Sequence, residues 1–314
     1  MTTLLEIARA VVDELGLPPI TFITGNQNGT ARQIVALANR AGDELYQAHQ
    51  WVQSQIQHIV EVNDTILTTG DTTVSSTIVS NIPSTAGIVA NYFAAVGGGL
   101  QQSTRVVEVI DPNTLRVDMD ATDTQVGAPL TFARDTFTMP EDFSWFLNRT
   151  MWDRTNHWEL IGPMSPSADQ WERSGIVSIG PRRRWRQVGL LPTNWRLWPP
   201  PTASNDYPST MVFEYESEYW ALNAGGDRIP RMTADDDTPI VDAQAIILSV
   251  KWRLWQAKGF EYGAMQAEYL DYVSRLAARD GGSADLSLSR RADPNWLIGP
   301  WNVQDGNFPG QGNP

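Results

Sequence analysis

The chain of 314 residues contains no cysteine. That removes disulfides, zinc–thiolate sites, iron–sulfur clusters and thiol catalysis. Lysine is almost missing as well: of 23 basic residues only Lys251 and Lys258 are lysine, and the rest are arginine. Histidine occurs three times, at His49, His58 and His157, without metal-ligand spacing. No uncharged apolar run approaches the length of a membrane span. The opening MTTLLEIARAVVDELG carries Glu6, Arg9, Asp13 and Glu14, where a signal peptide would show a basic start and an apolar centre. The expectation is a soluble protein assembled in a cytoplasm, with no membrane partner. Walker, strand-linked GxGxxG and GxSxG patterns are absent, and the glycines at 97 to 99 read as a loop. No cofactor, metal or catalytic residue is expected.

Positive charge is in deficit, with a formal net charge of -13 and a pI near 4.6. Surfaces that grip nucleic acid are usually basic, because phosphate neutralisation drives their binding. An acidic surface would instead let DNA pass without sticking.

Against that background, GPRRRWRQVG at residues 180 to 189 gathers Arg182, Arg183, Arg184 and Arg186 around Trp185. There are 13 tryptophans in all. Arginine and tryptophan are favoured at interface hot spots. The cluster reads as a subunit or partner interface facing carboxylates, with Asp235, Asp236 and Asp237 as the complementary acidic surface. Nucleic acid is the other reading, through phosphate contacts and base stacking; the lack of any basic stripe weighs against it.

Apolar spacing predicts a helix over 3–15 and a second from Thr30, capped with Gln33, to about Trp51. The composition shifts over residues 60–136, which hold no tryptophan and few charges but alternate Thr, Val and Ser between turns. They read as an inserted β-domain. Beyond 137 come short strands, helices at 141–154 and 165–174, and a helix starting at Thr238–Pro239 with the aspartates before it. A further helix with Tyr262, Met265, Tyr269, Tyr272 and Leu276 on one stripe follows. Residues 280–314 lack periodicity yet carry Trp296, Leu297, Ile298, Trp301 and Phe308, side chains costly to leave in water. They read as the anchors of an arm that orders on another surface.

The expected fold is therefore α+β: a helical-bundle core with a small sheet over 1–59 and 137–279, an inserted β-domain over 60–136, and an extended C-terminal docking arm over 280–314. Among carboxylates, Glu141 with Asp142, or Glu214 with Glu216 and Glu218, could serve glycosidic cleavage. The alternating glutamates of EYESEYW read more simply as a solvated strand face.

The segments TARQIVALANRAGDELYQAHQW, FTMPEDFSWFLNRTMWDRTNHWELIGPMSP, GPRRRWR and DTPIVDAQAIILSVKWRLWQAKG, taken in order, resemble the head-to-tail adaptor (connector) proteins of short-tailed bacteriophages, related to the P22-like tail accessory factor. The insert departs from the shorter members. The resemblance implies a structural virion protein at the head–tail junction. It implies copies in a ring, usually twelve, below the portal protein, with an arm reaching the portal and tail nozzle or fibre proteins below. It also implies a lumen through which genomic double-stranded DNA passes. The rival readings are a virion-associated peptidoglycan hydrolase and a carbohydrate-binding module in 60–136. The second is weakened by the few rings there, Tyr92, Phe93 and Phe132.

Overall fold

The computed structural model describes residues 2–62, 65–101, 103–174, 183–189, 193–201 and 209–281. Arg182 and the five proposed arm anchors, Trp296, Leu297, Ile298, Trp301 and Phe308, lie outside them. The described residues fall into two compact units. One is formed by residues up to 56, residues 142–146 and residues from 215; the other by residues 57–141 and 147–214.

The helical-bundle expectation is corrected. Seventeen strands in four antiparallel sheets dominate the described residues, against five α-helices. The reason lies in 137–234, where alternation predicts only a few short strands. Residues 143–146 and 152–153, expected to be helical, are strands. Helix spacing of apolar residues there competes with β-branched and aromatic content, and sheet pairing wins.

The first unit holds α1 (Leu4–Glu14), α2 (Gly29–Ala48), α4 (Ala243–Ala257) and α5 (Gly263–Arg279). Thr3 and Glu6 form a reciprocal capping box at the start of α1. The cap of α2 is Asn28, whose side chain accepts from the Thr30 N–H, rather than Thr30 itself. The start of α4 is likewise shifted. Asp242 caps it by accepting from the Ala245 N–H, and Thr238–Pro239 pairs in a short strand. The buried stripes of α1 (Leu4, Ile7, Ala8, Val11), α2 (Ile34, Ala38, Ala41, Leu45) and α4 (Ile246, Ile247, Val250, Leu254) share one core. Ion pairs Lys251–Glu14 and Arg253–Glu44 tie α4 to α1 and α2 at its rim. A three-stranded sheet, ordered β16 (Arg228–Ile229), β15 (Ala221–Leu222), β17 (Thr238–Pro239), belongs to this unit.

In the second unit a six-stranded sheet runs β4 (Phe93–Gly97), β7 (Gln125–Arg134), β2 (Ile66–Thr72), β3 (Ile78–Ser80), β6 (Thr114–Val117), β5 (Val106–Asp111). Phe93, Phe132, Leu130, Leu115 and Val79 fill its core. A second sheet orders β12 (Arg184–Val188), β13 (Asn194–Trp198), β8 (Thr136–Thr138). Trp195 of β13 packs edge-on to Phe213 at 4.9 Å and tilts against Phe137 at 6.2 Å. Among its described residues the second unit has one helix, α3 (Pro166–Ser174). The remaining sheet orders β1 (Gln55–Val62), β14 (Ser209–Ser217), β10 (Trp152–Asp153), β11 (Trp158–Glu159), with β9 (Phe143–Phe146) also on β14.

Candidate functional site

Of the arginine cluster, Arg183, Arg184, Trp185 and Arg186 are among the described residues, and the ion pairs of Arg183 and Arg186 lie within the second unit. In β12 the alternation of a strand turns Trp185 inward, where it is buried, and leaves Arg184 and Arg186 on the opposite face. Arg183 pairs with Asp153, a buried carboxylate that also accepts from the Asn156 backbone and side chain at 3.0 and 2.8 Å. Burial pushes the Arg183 guanidinium below its ordinary value, and the Asp153 charge works against that shift. Arg186 donates to buried Asp169 at 2.6 Å. Arg183 and Arg186 thus each pair with a carboxylate of their own unit. Against Trp185 lies a cavity of about 360 Å³, bordered by Arg149, Glu159 and Gly162.

The aspartate triplet also serves its own unit. Asp235 Oδ1 accepts from the Ile23 and Thr24 N–H groups and the Thr24 hydroxyl, at 2.7 to 3.0 Å. These bonds, set against partial burial, hold its carboxyl below the usual carboxylate range. Asp237 is buried and accepts from the Thr233 and Ala234 N–H groups at 2.6 and 2.7 Å. The backbone carbonyls of Asp237 and Asp235 receive the Leu4 and Leu5 N–H groups at 2.8 and 3.2 Å, closing the free end of α1. Asp236 alone of the three is exposed. Asp237 and Asp235 therefore close the start of α1, Asp235 also holds the 23–24 loop, and the triplet does not precede α4 directly.

The site that the sequence did not reveal is in the first unit, where β9 meets the end of β14. Glu216 sits directly opposite Trp145 across this pair, with Tyr215 opposite Phe146 and Ser217 opposite Phe143. Ser144 is the extra residue of a β-bulge on β9. Bulges bend a strand and re-aim side chains, and they recur beside binding sites. Asp142 fixes this corner, accepting from the Tyr215 hydroxyl at 2.8 Å and the Ser217 hydroxyl at 2.6 Å. Burial and the Asp142 carboxylate both push the Tyr215 phenol up. From α2, Asp43, Tyr46 and Gln47 come to one face by helical spacing. Trp220 forms a wall, seated over Gly42 with its indole N–H on Asp43 at 2.8 Å. Together these enclose a cavity of about 410 Å³, bordered also by Glu218, with no basic residue in its lining.

Glu216 is only 4% exposed. The alternation that made Glu214, Glu216 and Glu218 look like one solvated face fails: Glu214 is half-buried, Glu216 buried, and Glu218 exposed beyond the strand's end. Glu216 Oε2 is buried and accepts no hydrogen bond. Burial drives its carboxyl above the usual carboxylate range, opposed by hydrogen bonds from Ser54 and Trp145 and by the nearby His49. The Tyr46 phenol is pushed up to about 12, chiefly by burial. Of the other proposed acid pair, Glu141 is exposed and Asp142 is committed to Tyr215 and Ser217.

A raised carboxyl pKa in the fold means that the unfolded chain releases its proton first as pH rises. Stability contributed by neutral Glu216 is then lost from the ordinary carboxylate range upward to its folded value. Glu216→Gln removes that loss. The variant is expected to melt at the same temperature as the parent near pH 4 and above it at pH 7; a variant that melts lower at pH 7 would refute the assignment. No protein-family model matches the chain, and no curated protein sequence matches it.

Proposed function

We propose that this chain is a structural assembly subunit: a head-to-tail adaptor whose copies ring below a portal protein, join it to the tail and surround the path of double-stranded DNA. The reading rests on the ordered resemblance of four segments, and one feature of the fold supports it. α5 runs 17 residues yet fully buries only Tyr269. Met265, Tyr272, Val273 and Leu276 stay half-covered on its stripe, and Leu270 and the preceding Phe260 are 58% and 55% exposed. A helix so thinly covered is suited to burial by a neighbour, and a heterologous contact of that kind closes into a ring when the rotation closes.

Leu270→Lys tests this, because leucine and lysine have similar helix propensity and a surface exchange shifts stability by about 0.5 kcal/mol or less. The purified variant is expected to melt within 2 °C of the parent by roughly that reckoning. In negative-stain images with the portal protein, the parent is expected to form rings and the variant none. Parent protein that forms no ring on the portal would end the reading. The hydrolase reading has Glu216 in its favour, a buried carboxyl with a raised pKa in a cleft. Release of soluble fragments from purified peptidoglycan, abolished by Glu216→Gln, would establish it in place of the adaptor.

A further inference from the structure

We propose that the cavity between α2 and the β9–β14 pair is a binding site for a guanidinium group. Three properties point to this chemistry, and none depends on the adaptor reading.

The first is an unused acceptor. Glu216 borders the cavity, and its Oε2 is buried without a hydrogen-bond donor. A buried acceptor left unmade costs about 1–3 kcal/mol, more when it is charged, and is retained where something supplies the donor. The second is charge. Asp43, Glu216 and Glu218 border the cavity and no Lys, Arg or His does. Asp43 already holds the Trp220 indole at 2.8 Å and Arg231 at 3.0 Å, so its charge is compensated, whereas Glu216 joins none of the ion pairs among the described residues and has only the nearby His49 acting on its charge. The third is the walls. Trp145, Trp220 and Tyr46 border the same cavity as Glu216, and Trp145 is 44% exposed.

These properties discriminate among ligands. An anion is rejected by the carboxylates. A divalent metal needs several hard oxygen ligands, and no group of three or more acidic or histidine side chains able to hold one occurs among the described residues. A planar cation with several N–H donors satisfies both demands at once. It donates to Glu216 and lies against indole faces, where cation–π attraction adds about 0.5–2 kcal/mol. The volume of about 410 Å³ falls at the small end of ligand sites, enough for a guanidinium and its alkyl stem. The chemistry is shared by an arginine side chain of a protein partner and a free alkylguanidine, and the experiment separates them.

The test titrates the full chain by calorimetry with agmatine, with the blocked peptide acetyl-Gly-Arg-Gly-amide, and with butylurea as an uncharged look-alike. Saturable agmatine binding is expected, with butylurea at least tenfold weaker. Glu216→Gln is expected to weaken agmatine at least tenfold while melting no lower than the parent, which separates lost recognition from lost folding. Trp145→Leu, changing an exposed wall, provides a second variant and is expected to weaken binding several-fold. Peptide binding at least as tight as agmatine assigns the site to a partner's arginine; agmatine alone assigns it to a free guanidine. No saturable agmatine binding by the parent, equal binding of butylurea, or undiminished binding by Glu216→Gln overturns the proposal. Ring formation on the portal is read separately, so failure here leaves the adaptor reading standing, and the reverse.

Discussion

Arg105→Ala is expected to destabilise the second unit by about 3–5 kcal/mol, the usual cost of stranding one partner of a buried ion pair. Asp135, the partner, is fully buried. Arg105 grips it with both arms of the guanidinium, Nε to Oδ2 and Nη2 to Oδ1, each at 2.9 Å. Thr136 Oγ donates to the same carboxylate at 2.7 Å, and the Asp135 backbone bonds Tyr92 and Leu197. Truncating Arg105 leaves that charge leaning on the Thr136 hydroxyl in a dry site. For a domain of this size the loss amounts to a fall in melting temperature of roughly 6–20 °C. Arg105→Met with Asp135→Leu should recover most of it, because apolar replacement of both partners removes the desolvation cost along with the attraction. A single variant that loses under about 1 kcal/mol in urea unfolding would show that the pair is not buried as described.

Gly42→Ala has a larger consequence than its chemistry suggests. In an ordinary helix interior the exchange is favourable by about 1 kcal/mol. Here the added carbon would overlap three ring carbons of Trp220, itself almost fully buried and hydrogen-bonded to Asp43. The ring is held by that bond and can yield only toward the neighbouring cavity, and overpacking of this kind costs typically about 1–3 kcal/mol. Overlap with a rigid indole belongs at the upper end, so the net change is expected to be destabilising by about 1–2 kcal/mol after the helix gain. The same shift would push Trp220 into the cavity and weaken agmatine. A stabilised variant would mean that Trp220 does not pack against α2.

How much of the fold is legible in the chain depends on whether a pattern is local. α1, α2, α4 and α5 announce themselves through 3.6-residue spacing, and Thr3–Glu6 is a cap that two residues suffice to specify. The β-rich character of 66–134 is visible in alternation and in the turn at Asp111–Pro112–Asn113. What cannot be read is which acidic and basic residues are neutralised by distant ones. Arg183 meets Asp153 of β10, and Arg186 meets Asp169 of α3, across separations that only the tertiary fold closes. The cavity beside Glu216 is hidden for the same reason. Glu216 looks like a solvent-facing position because its neighbours alternate, but β9 pairs alongside that strand end and α2 lines the same cavity. The one hint is the density of rings in MVFEYESEYW, too apolar and aromatic for a strand with a wet side.

The order of the segments that build the first unit has a consequence during synthesis. α1 and α2 emerge early, yet the helix that completes their core, α4, begins only at Ala243, after residues 57–141 and 147–214 of the second unit. At about 5–20 residues per second, α4 follows α2 from the ribosome by roughly 10–40 s. For that time Ile34, Ala38 and Leu45 have no lasting cover, so the nascent chain passes through a window in which a chaperone or a neighbouring chain can compete for them.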